Sequence, residues 1–358
     1  MTLWPRRTKI RHSIGRSTCG EELMPQINAA SHSSADLSYR LRRIETAGGQ
    51  IMKACFFRAF GGPEVLQYGD LPDPVPAAGE VVVDIHAASV NAADWKMRAG
   101  QYSAGIDFPH VPGRDFSGVV AALGKGARDF KVGDAVFGVC EVPREGAYAE
   151  KIAIRQEILA RKPASLTHVQ CASIALAGLT ALISIEDTLK LKAGETILIH
   201  GGAGGVGGFA IALAKHLGAR VVTTASAANH DYVRALGADE AIDYRAQDFT
   251  RIVSGCDAVF DTVGGDVPLR SFAVLRSGGR LASVAAGGAA PASPRPDATS
   301  LRPKVNRDRP HLDKVAALVV QGVVPLPAIV EYPLAEAAAA HRVSEARHLR
   351  GKLILRVR

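Results

Sequence analysis

Apolar residues between positions 52 and about 173 come in short runs that glycine and proline interrupt. GEVVVDIHAASV at 79–90 is rich in β-branched residues, and GVVAALG and VGDAVFGV follow with glycine between them. Short apolar runs bounded by turn residues are typical of strands. The pattern predicts a β-rich region with many turns, which begins abruptly with MKACFFRAF at Met52.

From about residue 174 strands and helices alternate. ETILIH, RVVTTA, EAIDY, CDAVFDTVG and GRLASVAA are predicted strands, and GFAIALAKHLG, DYVRALG and PLRSFAVLRSG are predicted helices. Alternation at this spacing indicates βαβ units, whose strands lie parallel in a doubly wound sheet. We therefore predict an α/β fold in which a parallel-sheet domain follows the β-rich one.

After about residue 286 the segment GGAAPASPRPDATSLRPKVNRDRP is predicted to be a long loop that lines a site or is mobile. The helices HLDKVAALVVQG and LAEAAAAHRVSEA and the strand GKLILRV follow it. This last strand has no free place in the parallel sheet, so we expect it to pair with the β-rich domain. That domain would then be discontinuous, at 52–173 and 304–358, around a parallel-sheet domain at 174–303.

Residues 1–51 differ from the rest, because they are rich in Arg and Ser and show no sustained periodicity. Three interpretations are open: a disordered tail, a targeting peptide, or upstream sequence in front of a true first residue at Met52. The abrupt start of the fold signal at Met52 favours the third.

Composition narrows the class of protein. The 358 residues are 47% hydrophobic, which suffices for two domains of ordinary size. Of the formal charge of +8, residues 1–51 hold eight basic against four acidic side chains. No basic run with interleaved aromatic residues occurs in the remainder, so we expect no nucleic-acid partner.

The cysteines and the apolar runs bear on the compartment. The five cysteines, at 19, 55, 140, 171 and 256, form no C-x-x-C pair, which favours reduced thiols and a cytoplasmic protein. The apolar run CASIALAGLTALISI at 171–185 is shorter than the ~20 residues that span a bilayer. We therefore expect no membrane partner.

A glycine-rich turn is the strongest chemical signal. The six residues Gly202-Ala203-Gly204-Gly205-Val206-Gly207 fit G-x-G-x-x-G, follow a predicted strand and open a predicted helix. In this context Gly202 allows the tight turn, Gly204 lets the backbone approach a pyrophosphate, and Gly207 allows close packing of helix on strand. The helix N-terminus offers free N–H groups to phosphates, so the turn predicts a dinucleotide site.

The end of the second predicted strand identifies the dinucleotide. A carboxylate usually stands there to hold the adenosine ribose, but this chain reads Val222-Thr223-Thr224-Ala225-Ser226. A 2′-phosphate bound there could meet Ser226, and also Tyr244 and Arg245 at the end of the third strand. Arg234 is a further candidate. The sequence therefore favours NADPH over NADH. For Arg245 alone, a solvated loop charge is the alternative.

From Met52 onward the chain resembles the medium-chain dehydrogenase/reductase superfamily, and within it the zinc-independent, ζ-crystallin-like quinone oxidoreductases. The matching segments are FGGPEVL, ASVNAADWKMRAGQY, VPGRDFSGVV, AGLTA, GGAGGVG, GADEAIDY and RGKLIL. The resemblance implies a GroES-like catalytic domain, an inserted Rossmann domain that binds NADP, a cleft between them, and a homodimer.

The zinc alcohol dehydrogenases of the same superfamily are the first rival. Zinc needs thiolate and imidazole ligands. In this chain Asn91 stands where those enzymes have their first Cys ligand, and Arg114 stands where they have a His. We therefore expect no metal. The expected chemistry is reduction of an acceptor that is already electrophilic, a quinone or an α,β-unsaturated carbonyl.

The resemblance also implies roles for single residues. Asn91 would bond to the nicotinamide ribose side of the cofactor, or else cap a turn, and Thr180 would hold the carboxamide region. Tyr102 would line the substrate cleft and donate a proton, or else pack with its hydroxyl in water. Lys96 replaces a second cleft tyrosine and could stabilise an oxyanion, contact the cofactor or be exposed.

The preferred hypothesis is an NADPH-dependent oxidoreductase that reduces a small-molecule quinone without zinc. A reductase of 2-alkenals or enones on the same scaffold is the first alternative. A non-catalytic NADPH-binding protein is the second.

Overall fold

The computed structural model describes residues 49–101, 106–285 and 289–358. The interpretations of residues 1–48, and the prediction for Tyr102, lie outside these ranges. The elements up to the first long helix are β1 (Ile51–Phe56), β2 (Gln67–Pro72), β3 (Glu80–Val90), α1 (Ala92–Arg98), β4 (Asp115–Leu123), β5 (Ala135–Val139), β6 (Lys151–Arg155), β7 (Leu159–Arg161) and α2 (His168–Leu182).

The remaining elements alternate strand and helix. They are β8 (Thr196–His200), α3 (Gly205–His216), β9 (Arg220–Ala225), α4 (His230–Ala235), β10 (Glu240–Asp243), β11 (Cys256–Asp261), α5 (Val267–Ser271), β12 (Leu275–Ser283), β13 (Thr299–Leu301), α6 (Arg309–Val320), β14 (Ile329–Pro333), α7 (Ala337–Glu345) and β15 (Lys352–Arg356).

The first sheet is mainly antiparallel and runs β14-β15-β3-β4-β5-β7, with β6 also paired to β3. Strand β3 is its centre, because the continuous apolar run Val81–Val83 and the small residues after it are buried. The last strand, β15, pairs antiparallel with β3, which confirms the pairing predicted for GKLILRV. The boundaries drawn at 173 and 303 stay a prediction.

The second sheet is parallel throughout and runs β10-β9-β8-β11-β12-β13. The order confirms the doubly wound sheet predicted from the alternation of strands and helices. The segment predicted as a loop after residue 286 contains β13, which extends this sheet by one strand. The sequence pattern did not predict β13, α1 or β14, because elements of three to seven residues are too short to display a clear period.

Helix α2 lies where the two sheets meet and packs on α3 and α6. Thr167 and Gln170 begin it with a capping box, in which the Gln170 N–H donates to Thr167 Oγ1 at 3.1 Å. With a π-helical turn at Ile183–Thr188 it is long and apolar enough to cross a membrane, but 78% of its most apolar window is buried inside the protein. Its apolar surface is thus used as core.

Candidate active site

A cleft of about 300 Å³ opens at the carboxyl ends of the parallel strands. One wall is the glycine turn and the beginning of α3, and the other is formed by α1 and the segment between α7 and β15. Ligands of doubly wound sheets gather at this edge because the turns there leave a crevice. The cleft is lined by glycines of the turn and by polar, aromatic and basic side chains, among them Asn91, Trp95, Lys96, Gly204, Ser226, Tyr244, Arg347, His348 and Lys352.

The glycine turn is held by close packing. The left-handed residue is Gly201, at φ 77°, so the tight turn assigned to Gly202 depends on the residue before it. A Cβ at Gly202 would overlap Thr223 Oγ1, and one at Gly207 would overlap the carbonyl oxygen of Gly201. A Cβ added at Gly204 would lie 3.5 Å from its nearest neighbour, the Gly201 carbonyl oxygen, so this position has room towards the cleft.

The beginning of α3 fits a phosphate group. Gly205, Val206 and Gly207 line the cleft and form the first turn, whose N–H groups have no acceptor within the helix. The aligned peptide dipoles place partial positive charge at the same point. Together with the open approach at Gly204, this arrangement suits a dinucleotide pyrophosphate.

The predicted residues at the ends of β9 and β10 come together. Ser226 and Tyr244 both line the cleft, and Asn229 donates to Ser226 Oγ at 3.1 Å. Arg245 lies beside Tyr244, and the side chains of both meet His348 Nδ1, at 3.3 Å and 3.4 Å respectively. Neither Arg245 nor Arg234, the further candidate, is among the lining residues, and Arg234 lies 3.6 Å from the Asp231 carboxylate.

The charge of the cleft has one sign. Lys96, Arg347 and Lys352 line it, and among the described lining residues there is no Asp or Glu. The guanidinium of Arg347 and the ammonium of Lys96 each lie 5.7 Å from the ring centre of Trp95. Arg347 has φ 57°, a left-handed conformation that is costly for a residue with a side chain.

The end of the chain completes the wall, which sequence analysis did not predict. The Gly351 N–H donates to the Ala203 carbonyl at 2.8 Å, so the segment before β15 pairs with the glycine turn. Lys352 is buried, and its Nζ donates to Asn91 Oδ1 at 2.7 Å and to the Val90 carbonyl at 3.1 Å. A lysine directly before the apolar run Leu353–Leu355 was the signal available for it.

Asn91 is held on several sides. Its Nδ2 donates to Asp115 Oδ1 at 2.6 Å, and its backbone N–H donates to Asp94 Oδ2 at 2.8 Å. The other oxygen of Asp115 accepts from the Leu176 N–H at 3.0 Å, which joins α2 to the group. The side chain of Asn91 therefore has a fixed place at the cleft wall, at the start of α1.

Burial dominates the protonation of the groups around Asn91. It raises the pKa of the Asp94 carboxyl to about 7, with the charge of Arg114 acting in the opposite direction. It also raises the pKa of Asp115 and lowers the pKa of Lys352, and the attraction between these two groups opposes both shifts.

A directed chain of hydrogen bonds runs beneath α1. Arg98 Nη1 lies 3.3 Å from His341 Nδ1, and because a guanidinium only donates, the imidazole hydrogen must be on Nε2. His341 Nε2 then donates to the Tyr148 hydroxyl oxygen at 3.2 Å, and that hydroxyl donates to Asp94 Oδ2 at 3.1 Å. Burial lowers the pKa of His341 to about 3, in agreement with a neutral ring.

The remaining predicted residues are placed as follows. Lys96 is half-buried in the cleft wall. Thr180 lies in α2, 8% exposed, and is not among the lining residues; its carbonyl accepts from Ser184 Oγ. The roles assigned to Asn91, Thr180, Tyr102 and Lys96 stay predictions.

The region that would correspond to a catalytic zinc site holds an ion pair. Arg114 Nη2 lies 3.2 Å from Glu145 Oε1, and Nε2 of the buried His110 lies 3.9 Å from the other oxygen of Glu145. Within the described ranges no group of three or more His, Cys, Asp or Glu side chains could hold a metal ion.

Comparison with known proteins identifies the family. An alcohol dehydrogenase GroES-like domain matches residues 77–164, and a zinc-binding dehydrogenase matches residues 236–355. The chain is 33% identical over 316 residues to the chloroplastic NADPH-dependent alkenal/one oxidoreductase of Arabidopsis thaliana, covering 85% of this chain and 79% of that protein. It is 32% identical over 320 residues to the quinone oxidoreductase of Pseudomonas aeruginosa, covering 84% and 98%.

Structural comparison agrees. The crystal structure of Escherichia coli quinone oxidoreductase complexed with NADPH has a TM-score of 0.79 and 28% identity, covering 85% of this chain and all of that one.

One relative found by sequence is much longer than this chain. The chain is 32% identical over 322 residues to a mycocerosic acid synthase-like polyketide synthase of Mycobacterium tuberculosis, of which it spans 15%.

The chain belongs to the quinone oxidoreductase family of the medium-chain dehydrogenase/reductase superfamily. It is therefore an oxidoreductase, built from a GroES-like domain and a Rossmann-like parallel sheet. The resemblance, the fold class and the enzyme class predicted from the sequence are confirmed.

Proposed function

We propose that this protein uses NADPH to reduce a quinone or a similar electrophilic carbonyl compound. The observation that carries the proposal is the cleft, in which three cations line the walls and no carboxylate is among the described lining residues. A cleft of one charge concentrates ligands of the opposite charge. NADPH has one phosphate more than NADH and gains more from this field. NADPH is also the cofactor named for the Arabidopsis relative and in the E. coli structure.

The adenosine end of the cleft supports the same choice. Ser226 and Tyr244 offer hydroxyl donors at the place where enzymes that prefer NADH have a carboxylate for the adenosine ribose. The side chains of Arg245 and Tyr244 both contact His348. A carboxylate there would repel a 2′-phosphate, whereas these groups can bond to it. We assign the 2′-phosphate to these four side chains.

The protein's own contribution is binding and orientation. When bound, the cofactor supplies the hydride. The first turn of α3 binds the pyrophosphate, and Asn91 holds the nicotinamide ribose. We assign Thr180 to the carboxamide region of the nicotinamide. Lys96 can stabilise negative charge on the acceptor oxygen, and Tyr102 is the proposed proton donor.

We propose that the reaction proceeds without zinc. An amide at 91 and a guanidinium at 114 occupy the positions of the expected Cys and His ligands, and an arginine cannot ligate zinc. The ion pair of Arg114 with Glu145 supports a structural use of this region.

Reduction of the carbon–carbon double bond of a 2-alkenal or enone is the second candidate. It is favoured by the name of the Arabidopsis relative, an alkenal/one oxidoreductase that shares 33% of its aligned residues with this chain. Both candidates use the same cofactor and an electrophilic carbonyl compound.

We further propose that the protein is a cytoplasmic homodimer without a membrane or nucleic-acid partner. Its catalytic domain is assigned to residues 52–173 and 304–358.

The test is the initial rate of oxidation of NADPH and of NADH, with a small quinone and a 2-alkenal offered in parallel. Faster oxidation of NADPH with the quinone supports the proposal, whereas a preference for NADH contradicts the assignment of the 2′-phosphate. Preference for the alkenal replaces the acceptor, and binding of NADPH without turnover of either acceptor favours a binding protein.

One substitution makes the test specific to the phosphate site. Ser226→Asp places a carboxylate directly after β9, where it would repel a 2′-phosphate. The KM for NADPH should therefore rise about tenfold or more, while the KM for NADH does not rise. Ser226→Ala is the matched control and should change the KM for NADPH far less. Equal effects of the two substitutions would contradict the assignment.

A further inference from the structure

The ends of three neighbouring strands bring together side chains that are far apart in the sequence. Lys352 opens β15, Asn91 follows the last residue of β3, and Asp115 opens β4. The register aligns these ends, because the strands pair at Val90 and at Ser89. The amide of Asn91, the ammonium of Lys352 and the carboxylate of Asp115 therefore meet where these three strands end or begin, on one side of the first sheet.

The hydrogen bonds around Asn91 allow one orientation of its amide. The Lys352 ammonium, which only donates, lies 2.7 Å from Oδ1, and the Asp115 carboxylate lies 2.6 Å from Nδ2. Rotation of the amide by half a turn would set donor against donor and oxygen against oxygen. The Ser89 carbonyl also accepts from Nδ2, at 3.3 Å. Both amide hydrogens are thus used. The Asp94 N–H, which faces this side chain in the capping box at the start of α1, donates to the Asn91 backbone carbonyl at 3.0 Å, so Oδ1 keeps one lone pair for a ligand.

We propose that Lys352 and Asp115 are positioning residues that make Asn91 a hydrogen-bond acceptor for a hydroxyl of the nicotinamide ribose. The inference rests on the proposed function, because it concerns how NADPH is held. It goes beyond that function by fixing which atom of Asn91 faces the cofactor and which residues set it.

Lys352 acts through Asn91. Its side chain is buried, and its Nζ is already committed to Asn91 and to the Val90 carbonyl. Its aliphatic part fills the space beside the first residue of α3, where a Cβ at Gly205 would overlap it. The lysine thus lines the cleft with its ammonium already bonded, and it acts on the cofactor through the amide that it holds.

A double-mutant cycle on the dissociation constant of NADPH tests this, using calorimetric titration of the purified full-length chain. In an otherwise unchanged protein, Lys352→Met should weaken binding about tenfold, the typical effect of a lost charge-assisted hydrogen bond. In an Asn91→Ala background the same substitution should weaken binding less than about twofold, because the residue it positions is gone. Equal weakening in both backgrounds, or none in the first, overturns the proposal.

Two further variants keep the test decisive. Lys352→Met alone leaves the Asp115 carboxylate buried without its counter-charge, which can prevent folding. The pair Lys352→Met with Asp115→Asn removes both charges and should give the same dependence on Asn91. Lys96→Met is the matched control: it removes a cleft cation that does not bond to Asn91, so its effect should be the same in both backgrounds.

A cofactor analogue isolates the atom. NADPH with the nicotinamide-ribose 2′-hydroxyl replaced by hydrogen should bind more weakly than NADPH and be insensitive to Asn91→Ala. Full sensitivity of the analogue to Asn91→Ala overturns the acceptor role at that hydroxyl. Failure of the unchanged protein to bind NADPH would instead overturn the proposed function, and the inference with it.

Discussion

The two walls of the cleft are built on different principles. The wall formed by the glycine turn and α3 presents backbone N–H groups, and its residues are distinguished by the side chains they lack. The opposite wall, formed by α1 and the segment before β15, presents an amide, an indole and cations, and its amide is held by the buried side chains of Lys352 and Asp115. The first wall depends on close approach of backbone to backbone, and the second on side chains that are fixed in part by the buried charges of Lys352, Asp94 and Asp115.

The difference explains what each wall tolerates. A backbone site is broken by adding atoms, because the neighbouring peptide groups cannot move apart cheaply. A side-chain site is broken by removing atoms, because a buried partner is then left without its hydrogen bond or counter-charge. Three experiments, in order of expected effect, test whether the walls differ in this way.

Gly207→Ala should have the largest effect. The added Cβ overlaps the carbonyl oxygen of Gly201, so the turn must shift. We expect a loss of about 1–3 kcal/mol in the free energy of unfolding, measured by urea denaturation, and NADPH binding weakened roughly a hundredfold. Gly204→Ala is the control, because a Cβ there meets nothing closer than 3.5 Å. It should weaken NADPH binding with little loss of stability; equal losses of stability would contradict the contrast.

Acid should weaken the side-chain wall through His341. Its pKa lies at about 3 in the folded protein, below the unfolded value near 6.5, so the folded state binds fewer protons across that window. The contribution of this group to stability is therefore complete above about pH 6.5 and is lost as the pH falls, at about 1.4 kcal/mol per pH unit.

His341→Gln should make the loss of stability between pH 7 and pH 5 smaller by about 2 kcal/mol, measured by urea denaturation at each pH. His216→Gln, at an exposed position on α3, is the control and should leave the pH dependence unchanged. A wild-type slope in the His341→Gln protein would show that the acid sensitivity arises elsewhere.

Arg347→Gly should have the smallest effect, with opposite signs for stability and binding. Glycine relieves the left-handed backbone at φ 57°, so the free energy of unfolding should rise by about 1 kcal/mol. NADPH binding should weaken several-fold, because a cation leaves the cleft. Lys190→Gly, at φ 50° and exposed, is the matched control: it should stabilise the protein and leave NADPH binding unchanged. Weaker binding in the control would undermine the interpretation.

The sequence predicted the backbone wall and missed much of the side-chain wall. The glycine turn is visible because its residues are consecutive and its flanking strand and helix have clear periods. Lys352 meets Asn91 only through the register of β15 on β3, which depends on contacts across more than half of the chain. The left-handed backbone of Arg347 could not be predicted, since residues with side chains rarely adopt it.

The pairing of Gly351 with the glycine turn has a consequence for how the enzyme is made. During synthesis the turn leaves the ribosome long before the residues that complete the opposite wall. A chain that ended before Arg347 would keep the whole phosphate-binding turn but would lack Arg347, Lys352 and the support they give. The cleft of this oxidoreductase is thus complete only when the last strand is synthesised and docked, so an incomplete product has only one finished wall.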